Sequence, residues 1–398
     1  MPLTEKEDIL NRGVEEIIVK SEFIDQLNSG QKMRLKMGFD PSAPDIHVGH
    51  AVGLRKLRQL QEIGHQVVLI VGDWTAQIGD PSGRSQTRNM LSIEEVHSNA
   101  QTYLDQFFKI VDKERTEIRW QSEWFGPFTL TNVIELTSRF TVAQILARED
   151  FAKRFRENQP ISITELMYPL LQGYDSVAIE SDVEFGGTDQ KFNLLVGRQL
   201  QQMRGMKAQQ CFIMPLLPGT DGVQKMSKSL GNYIGIDEGP QEIFGKVMSI
   251  PDSLILPYFD WLTDTPTKEI TEIRNSLESQ SVNPIELKKN VAYKLVTDFH
   301  NAKSARLSRD FFEKTVQEGQ APDDIPEYAI PSGDAAAGIK LSNVLVSCGL
   351  TSSSGEARRL IEQGAVRINE IQITQNQPVD QLEKGILRAG RRRYVRLI

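Results

Sequence analysis

The sequence predicts an α/β protein: a parallel sheet with helical crossovers, then a helical region, then a small α+β module. Three observations carry this. Short apolar runs alternate with amphipathic stretches of helical period through QQCFIMPLL, the rhythm of strands joined by helices. From about Asp237 to Gln317 the pattern turns helical. After a Pro-, Gly- and Ala-rich stretch, the segment from Ile339 to Ile398 returns to short helices and an alternating run.

Taken in order, RLKMGFD reads as a strand, HVGHAVGLRKLRQLQEIG as a helix, HQVVLIVGD as a strand and SIEEVHSNAQTYLDQFFKIV as a helix. Trp124 to Gln159 is a helical, aromatic-rich insertion. Ser162 and Glu165 have capping-box spacing, which starts the helix of MYPLLQGYDS and leaves Pro169 near its beginning. DVEFGGTDQ reads as a loop, the residues after it as a helix, and QQCFIMPLL as a strand. EGQAPDDIPEYAIPSGDAAAG has no sustained period and reads as a linker. Beyond it LSNVLVSCG and GEARRLIEQ have helical spacing, Ser353 and Glu356 form a capping box, Gly364 stops the helix, and AVRINEIQI alternates like a strand. The expected domains are 1–223 with the insertion at about 124–159, then 224–317, a linker at 318–338, and 339–398.

Composition is that of a soluble globular chain, 39% hydrophobic and 25% charged, with no apolar run long enough to span a bilayer. The N-terminus is acidic and amphipathic, unlike a secretory signal, so a cytoplasmic location without membrane partners is expected. Cys211 and Cys348 lack the spacing of a disulfide framework or zinc site. The net charge is -7, yet residues 339–398 carry ten Lys/Arg against five Asp/Glu. The net charge argues against broad nucleic-acid coating, DNA included, while the asymmetry suggests a polyanion at the tail and a smaller ligand in the body.

Three short patterns carry chemistry. In GFDPSAPDIHVGH, Asp45 is the expected N-cap of a helix that places His47 and His50 on one face, with Gly49 leaving room between them. Such a helix start, above the ends of parallel strands, suits a phosphate that gains charge. Lys225, Met226, Ser227, Lys228 and Ser229 put two ammonium groups on a Gly/Ser loop, a mobile clamp for a triphosphate. Tyr168, Gln172 and Asp175 fall at i, i+4 and i+7, a helical stripe too polar for a core face unless a ligand completes it.

HVGH followed by KMSKS resembles the class I aminoacyl-tRNA synthetases, and the Y-x3-Q-x2-D stripe resembles the tyrosyl-tRNA synthetases. The resemblance implies a Rossmann-like catalytic domain, a helical tRNA-binding domain from the KMSKS loop onward, and an S4-like RNA-binding tail. It implies L-tyrosine and ATP as substrates, Mg2+ arriving on the nucleotide, no protein-bound metal, a specific tRNA as partner, and a homodimer formed through the insertion, with Val133, Ile134, Leu136 and Phe140 as surface candidates. By the same resemblance His47, His50, Lys225 and Lys228 are catalytic, and Asp40, Gly49, Gly186, Gly187, Asp189, Met226, Ser227, Ser229, Arg84 and Arg88 bind ATP. Gly38, Thr75, Asp80, Tyr168, Gln172, Asp175 and Gln190 are expected around tyrosine, and Arg358, Arg359, Arg367, Arg391, Arg392 and Arg393 around RNA phosphates.

The chain departs from the pattern at Lys36, where many tyrosyl enzymes carry a tyrosine that meets the substrate phenol. Strand alternation puts Lys36, Gly38 and Asp40 on one face, so Lys36 is expected to point at the pocket, either setting the charge of Asp175 or donating to the phenol directly. Met37 replaces a frequent ribose-contacting cysteine. A tryptophanyl enzyme, a small-molecule adenylyltransferase and a noncatalytic RNA-binding protein are the rival readings; each leaves one of the stripe, the KMSKS loop or the basic tail without a purpose.

Overall fold

A computed structural model describes residues 3–41, 46–82, 91–317, 325–330, 339–378, 384–390 and 393–398. The chain divides into two compact units, Met1–Gly239 with Lys246–His300, and Pro240–Gly245 with Asn301–Ile398.

The first unit is built on a six-stranded sheet of order β1-β6-β5-β2-β3-β4, from β1 (Glu16–Ile18), β2 (Arg34–Phe39), β3 (Gln66–Val71), β4 (Thr116–Trp120), β5 (Val183–Gly187) and β6 (Gln210–Met214). β2 to β6 run parallel, and β1 closes the edge antiparallel to β6. In QVVLIV every residue from Val67 to Val71 is buried, as expected of a strand covered on both faces. Chain order runs outward from β2 through β3 to β4, then resumes on its other side with β5 and β6. The sheet therefore opens a crevice between β2 and β5 at the strands' C-terminal ends, where such sheets bind ligands.

Three strands escape the sequence reading. VEFGG was expected to be a loop but is β5, because its pairing with β2 and β6 overrides the two glycines. β4 is partly exposed throughout, and β1 has only three residues, so neither shows a clear apolar pattern.

The helix after β2 runs Val48–Glu62 and buries Val48, Ala51, Val52, Leu54, Leu57 and Leu60, a stripe of helical period. Its N-cap is His47 rather than Asp45, which lies outside the described residues. The extended His47 backbone bridges Gly235, with Val48 N donating to Ile234 O at 2.9 Å and Ile236 N to Ile46 O at 3.1 Å. Those strand-like bonds satisfy the helix entry and tie it to the segment just after KMSKS. Farther along, buried Arg55 bonds Asp264 and Asp298, fixing the helix to the helical residues of the same unit.

The helix Ile163–Ala178 starts on the expected capping box: Glu165 N donates to Ser162 Oγ at 3.1 Å and Ser162 N to Glu165 Oε2 at 2.8 Å. Around it Phe125, Leu136, Ile145, Phe151, Leu170 and Leu171 form one core with Val196 and Leu200. Leu136 is thus a core residue rather than a surface candidate, and Phe140 packs against the same core. Ile134 stays exposed, with Leu130, Val142, Phe155 and Ile163.

In the second unit β7 (Glu327–Tyr328), β8 (Val366–Ile368), β9 (Ile371–Ile373), β10 (Gly385–Ala389) and β11 (Arg393–Leu397) form a sheet of order β7-β11-β10-β8-β9. Leu341, Val344, Leu345, Ala357, Ile361 and Leu387 give it its own core. Two expectations change here. Part of the 318–338 stretch supplies β7, parallel to β11, a pairing too short to leave a periodic signal. AVRINEIQI is a hairpin of β8 and β9, turned at Asn369 and Glu370, whose φ values of 48 and 65 suit a two-residue turn.

Candidate active site

The crevice between β2 and β5 holds a cavity of about 350 Å³. β2 brings Gly38 and Asp40, the Val48–Glu62 helix brings Gly49 and His50 with His47 at its cap, and the β5 end brings Gly186, Gly187, Asp189 and Gln190. Thr75 and Asp80 follow β3, the Ile163–Ala178 helix adds Tyr168, Gln172 and Asp175, and the KMSKS loop adds Lys225 and Met226. Residues as far apart in the chain as Met37 and Met226 thus share one lining.

The two imidazoles sit 3.9 Å apart between ring centroids. A β-carbon on Gly49 would lie 2.9 Å from His47 Nδ1, so only glycine leaves that ring its place. Desolvation, reinforced by His50 and the two lysines, lowers His47 to about 2; desolvation and Lys225 lower His50 to about 4. His50 opens onto the cleft, so its desolvation comes from concave walls rather than a core. Both rings are neutral near pH 7, each with one N–H to donate. His47 N donates to His50 Nδ1 at 3.3 Å, while His47 Nδ1 is buried with no hydrogen-bond partner among the described residues.

Lys225 pairs with Asp189 across the cavity, and its side chain is 54% exposed. Met226 is buried beneath the loop. Lys228 lies 5.8 Å from the Tyr233 ring centre and, like Ser227, is outside the cavity lining; the Ser229 side chain, Arg84 and Arg88 are outside the described residues. Asn232 shapes this loop: its Oδ1 accepts from Ser227 N at 2.8 Å, and its Nδ2 donates to Asp221 Oδ2 at 2.7 Å and Lys225 O at 3.2 Å.

At the other end the polar stripe finds protein partners. Tyr168 donates to Asp40 Oδ2 at 2.8 Å, Thr75 to Asp40 Oδ1 at 2.6 Å, and Gln190 to Asp80 Oδ2 at 2.7 Å. Gln172 accepts from Asn193 at 3.0 Å. Asp175 accepts from Gln121 Nε2 at 2.9 and 3.1 Å and from Trp124 Nε1 at 3.1 Å. Gln121 Oε1 in turn accepts from Thr75 N at 3.0 Å and shares the Thr75 hydroxyl proton with Asp40, its own separation from Oγ1 being 3.0 Å. Burial raises Asp175 to about 7, opposed mainly by the charge of Lys36. Burial also raises Tyr168, as do Asp40 and Asp80, so its phenol stays protonated.

Lys36 corrects the sequence reading. It shares the Asp40 face, toward the same helix, but is 0% exposed and does not line the cavity. Its Nζ donates to Gln172 O and Ser176 Oγ, each at 2.8 Å, and to Glu184 Oε1 at 2.9 Å. An ammonium has three donors, and these partners occupy them, so a direct bond to a bound phenol is ruled out.

Sequence reading missed Gln121, Trp124, Glu184, Asn193 and Asn232. Their one available signal is position: Gln121 follows the C-terminal end of β4, on the edge where open sheets bind ligands. In the second unit Arg358 and Arg359 lie exposed on one helix and Arg367 on β8, whereas Arg393 bonds Leu350 O and Glu356. Arg391 and Arg392 lie outside the described residues.

Comparison with known proteins matches residues 28–317 to the family of tRNA synthetases class I (W and Y), and residues 317–397 to the tyrosine-tRNA ligase SYY-like C-terminal domain. The chain is 59% identical to a tyrosine-tRNA ligase of Dehalococcoides mccartyi strain CBDB1, over 98% of each protein. It is 47% identical to that of Thermotoga maritima, over 99% of this chain and 97% of the other. Among solved structures, a C-terminally truncated mitochondrial tyrosyl-tRNA synthetase of Aspergillus nidulans superposes with a TM-score of 0.66 at 20% identity, covering 78% of this chain and 93% of that one. A tyrosyl-tRNA synthetase of Archaeoglobus fulgidus complexed with L-tyrosine gives 0.62 at 23%, covering 77% and 99%.

Proposed function

The chain belongs to the class I tRNA synthetases of the W and Y type, in the company of the tyrosine-tRNA ligases, and from that premise we propose how its residues divide the work. It activates L-tyrosine with ATP, giving tyrosyl-adenylate and pyrophosphate, and then transfers tyrosine to the 3' terminal adenosine of its tRNA. The observation that carries this reading is the single cavity lined by His47, His50 and Lys225 at one end and Tyr168, Gln172 and Asp175 at the other.

The tyrosine carboxylate is ionised at neutral pH and needs no base. One of its oxygens bonds the α-phosphorus of ATP, the bond to the bridging oxygen breaks, and pyrophosphate leaves with the electron pair. His47 and His50 donate hydrogen bonds to phosphate oxygens as charge grows, and Lys225 and Lys228 attract the departing pyrophosphate, with Mg2+ bound to the nucleotide. Neutral imidazoles suit this, since they donate without adding cations that would repel the lysines. Asp189 faces the ribose, Gln190 the carbonyl, and Gly186 and Gly187 let the backbone approach.

Tyr168, Gln172 and Asp80 surround the substrate ammonium group, and Asp175 accepts its phenolic hydroxyl. Phenylalanine would leave Asp175 buried without that partner, the known ground on which tyrosyl enzymes reject it. The exposed arginines of the second unit grip tRNA phosphates, and the exposed apolar residues Ile134, Leu130 and Val142 serve a homodimer surface. Among the described residues no helix is long and apolar enough to cross a membrane, and a cytoplasmic location fits the substrates.

Exchange of labelled pyrophosphate into ATP tests the reading. Tyrosine should support it and tryptophan or phenylalanine should not; exchange that ignores tyrosine defeats it.

A further inference from the structure

Burying a lysine costs several kcal/mol unless its charge is used. Lys36 does not line the cavity, and an apolar side chain at this buried position would avoid that cost but would forfeit its three hydrogen bonds. Its partners explain the choice. Gln172 O and Ser176 Oγ lie on the same helix, three residues before and one after Asp175, so the ammonium grips the chain on both sides of that carboxylate. Its counter-ion Glu184 is 1% exposed and also accepts from Ser176 Oγ at 3.1 Å and Gln209 Nε2 at 2.5 Å. Asp175, at 2% exposure, has among the described residues only the neutral donors Gln121 and Trp124 on its oxygens.

We propose that Lys36, held by Glu184, is a positioning and specificity-determining residue for tyrosine: it fixes the helix around Asp175, and its charge keeps that carboxylate ionised to accept the substrate phenol. The proposal rests on the cavity being a tyrosine site. Among the described residues, the charges that act on Asp175 are those of Lys36 on β2 and Glu184 on β5, while Asp40 and Asp80 act on the neutral Tyr168 phenol of the same helix. Lys36 lowers the Asp175 pKa, and Glu184 raises it by a smaller amount.

The sign follows. Ionised Asp175 accepts the phenol more strongly than the neutral acid, so the tyrosine KM rises as pH falls through the carboxyl's folded pKa, which burial has set to about 7. Lys36→Met removes the cation and moves that rise to higher pH, by about one pH unit, which raises the tyrosine KM at pH 7 about fivefold. The KM for ATP and the kcat at pH 9 stay unchanged.

The test is tyrosine-dependent pyrophosphate exchange from pH 6 to pH 9 with the full chain, Lys36→Met, and the double variant Lys36→Met/Glu184→Gln. The double variant strands no buried charge and removes the opposing carboxylate too, so its shift should fall between wild type and Lys36→Met. A merely structural role would make the double variant at least as damaging and raise both KM values together; that result overturns the proposal, as do superimposable profiles. Should Lys36→Met fail to fold, the double variant must still show an alkaline shift. A tyrosine KM that stays flat across this range in wild type overturns the proposal whatever the variants do. Absence of tyrosine-dependent exchange in wild type would instead sink the functional reading itself.

Discussion

Gly49 shows how much of this site rests on one missing carbon. In the first turn of a helix alanine is favoured over glycine by up to about 1 kcal/mol, so Gly49→Ala should leave the melting temperature unchanged or slightly raised. The added carbon would lie 2.9 Å from His47 Nδ1 and 3.0 Å from Cε1, both movable, so the ring swings aside rather than the helix breaking. A displaced donor in a transition state governed by positioning costs about 10²-fold in kcat for tyrosine activation. Thermal melting beside pyrophosphate exchange separates the two effects. The same scale marks the limit of sequence reading. His47 and Gly49 announce themselves by spacing, whereas Gln121 is one glutamine in a loop, and only folding brings it to both Thr75 and Asp175.

At the scale of elements, the KMSKS loop is a folded hairpin held from inside by Asn232. Gly219 N donates to Gln224 O at 2.7 Å, Thr220 N to Asn232 O at 2.8 Å, and Asn232's side chain bridges the turn. Asn232→Ala leaves Ser227 N and Lys225 O without that partner, a loss of about 1–3 kcal/mol of local order. Expected are a kcat for activation lowered about tenfold, a tyrosine KM within about twofold of wild type, and faster proteolysis within 217–232. An unchanged kcat with the loop protected would contradict this role. Elements also show why sequence reading is uneven. β3 announces itself because it is buried on both faces, while β5 ends in two glycines packed closely against Gln190 and Asp189, and those glycines mask its strand character.

At the scale of the molecule, the first unit contains the whole cavity lining, and the second has its own sheet and core. Because β7 belongs to that second sheet, a truncation that removes the sheet whole falls after Gln317, where the two family matches also meet, rather than at Ile339. Removing residues 318–398 should leave tyrosine-dependent exchange within about twofold of wild type and lower the kcat/KM for tRNA charging more than about tenfold, with a weaker salt dependence. Equal loss of both activities would show that the tail serves the first step too.

The sequence by itself determined the parallel-sheet architecture, the helix starts at Ser162 and Ser353, and the residue types of the imidazole pair, the lysine loop and the polar stripe, because periodicity, caps and short motifs are local. Only the tertiary structure decided that Lys36 lies beneath the cavity, that Leu136 is core, and that Gln121 and Asn232 organise its two ends. The reason is physical: a hydrogen bond between residues more than a hundred positions apart, such as that of Lys36 with Glu184, depends on how strands are ordered in a sheet, and no local pattern records that order.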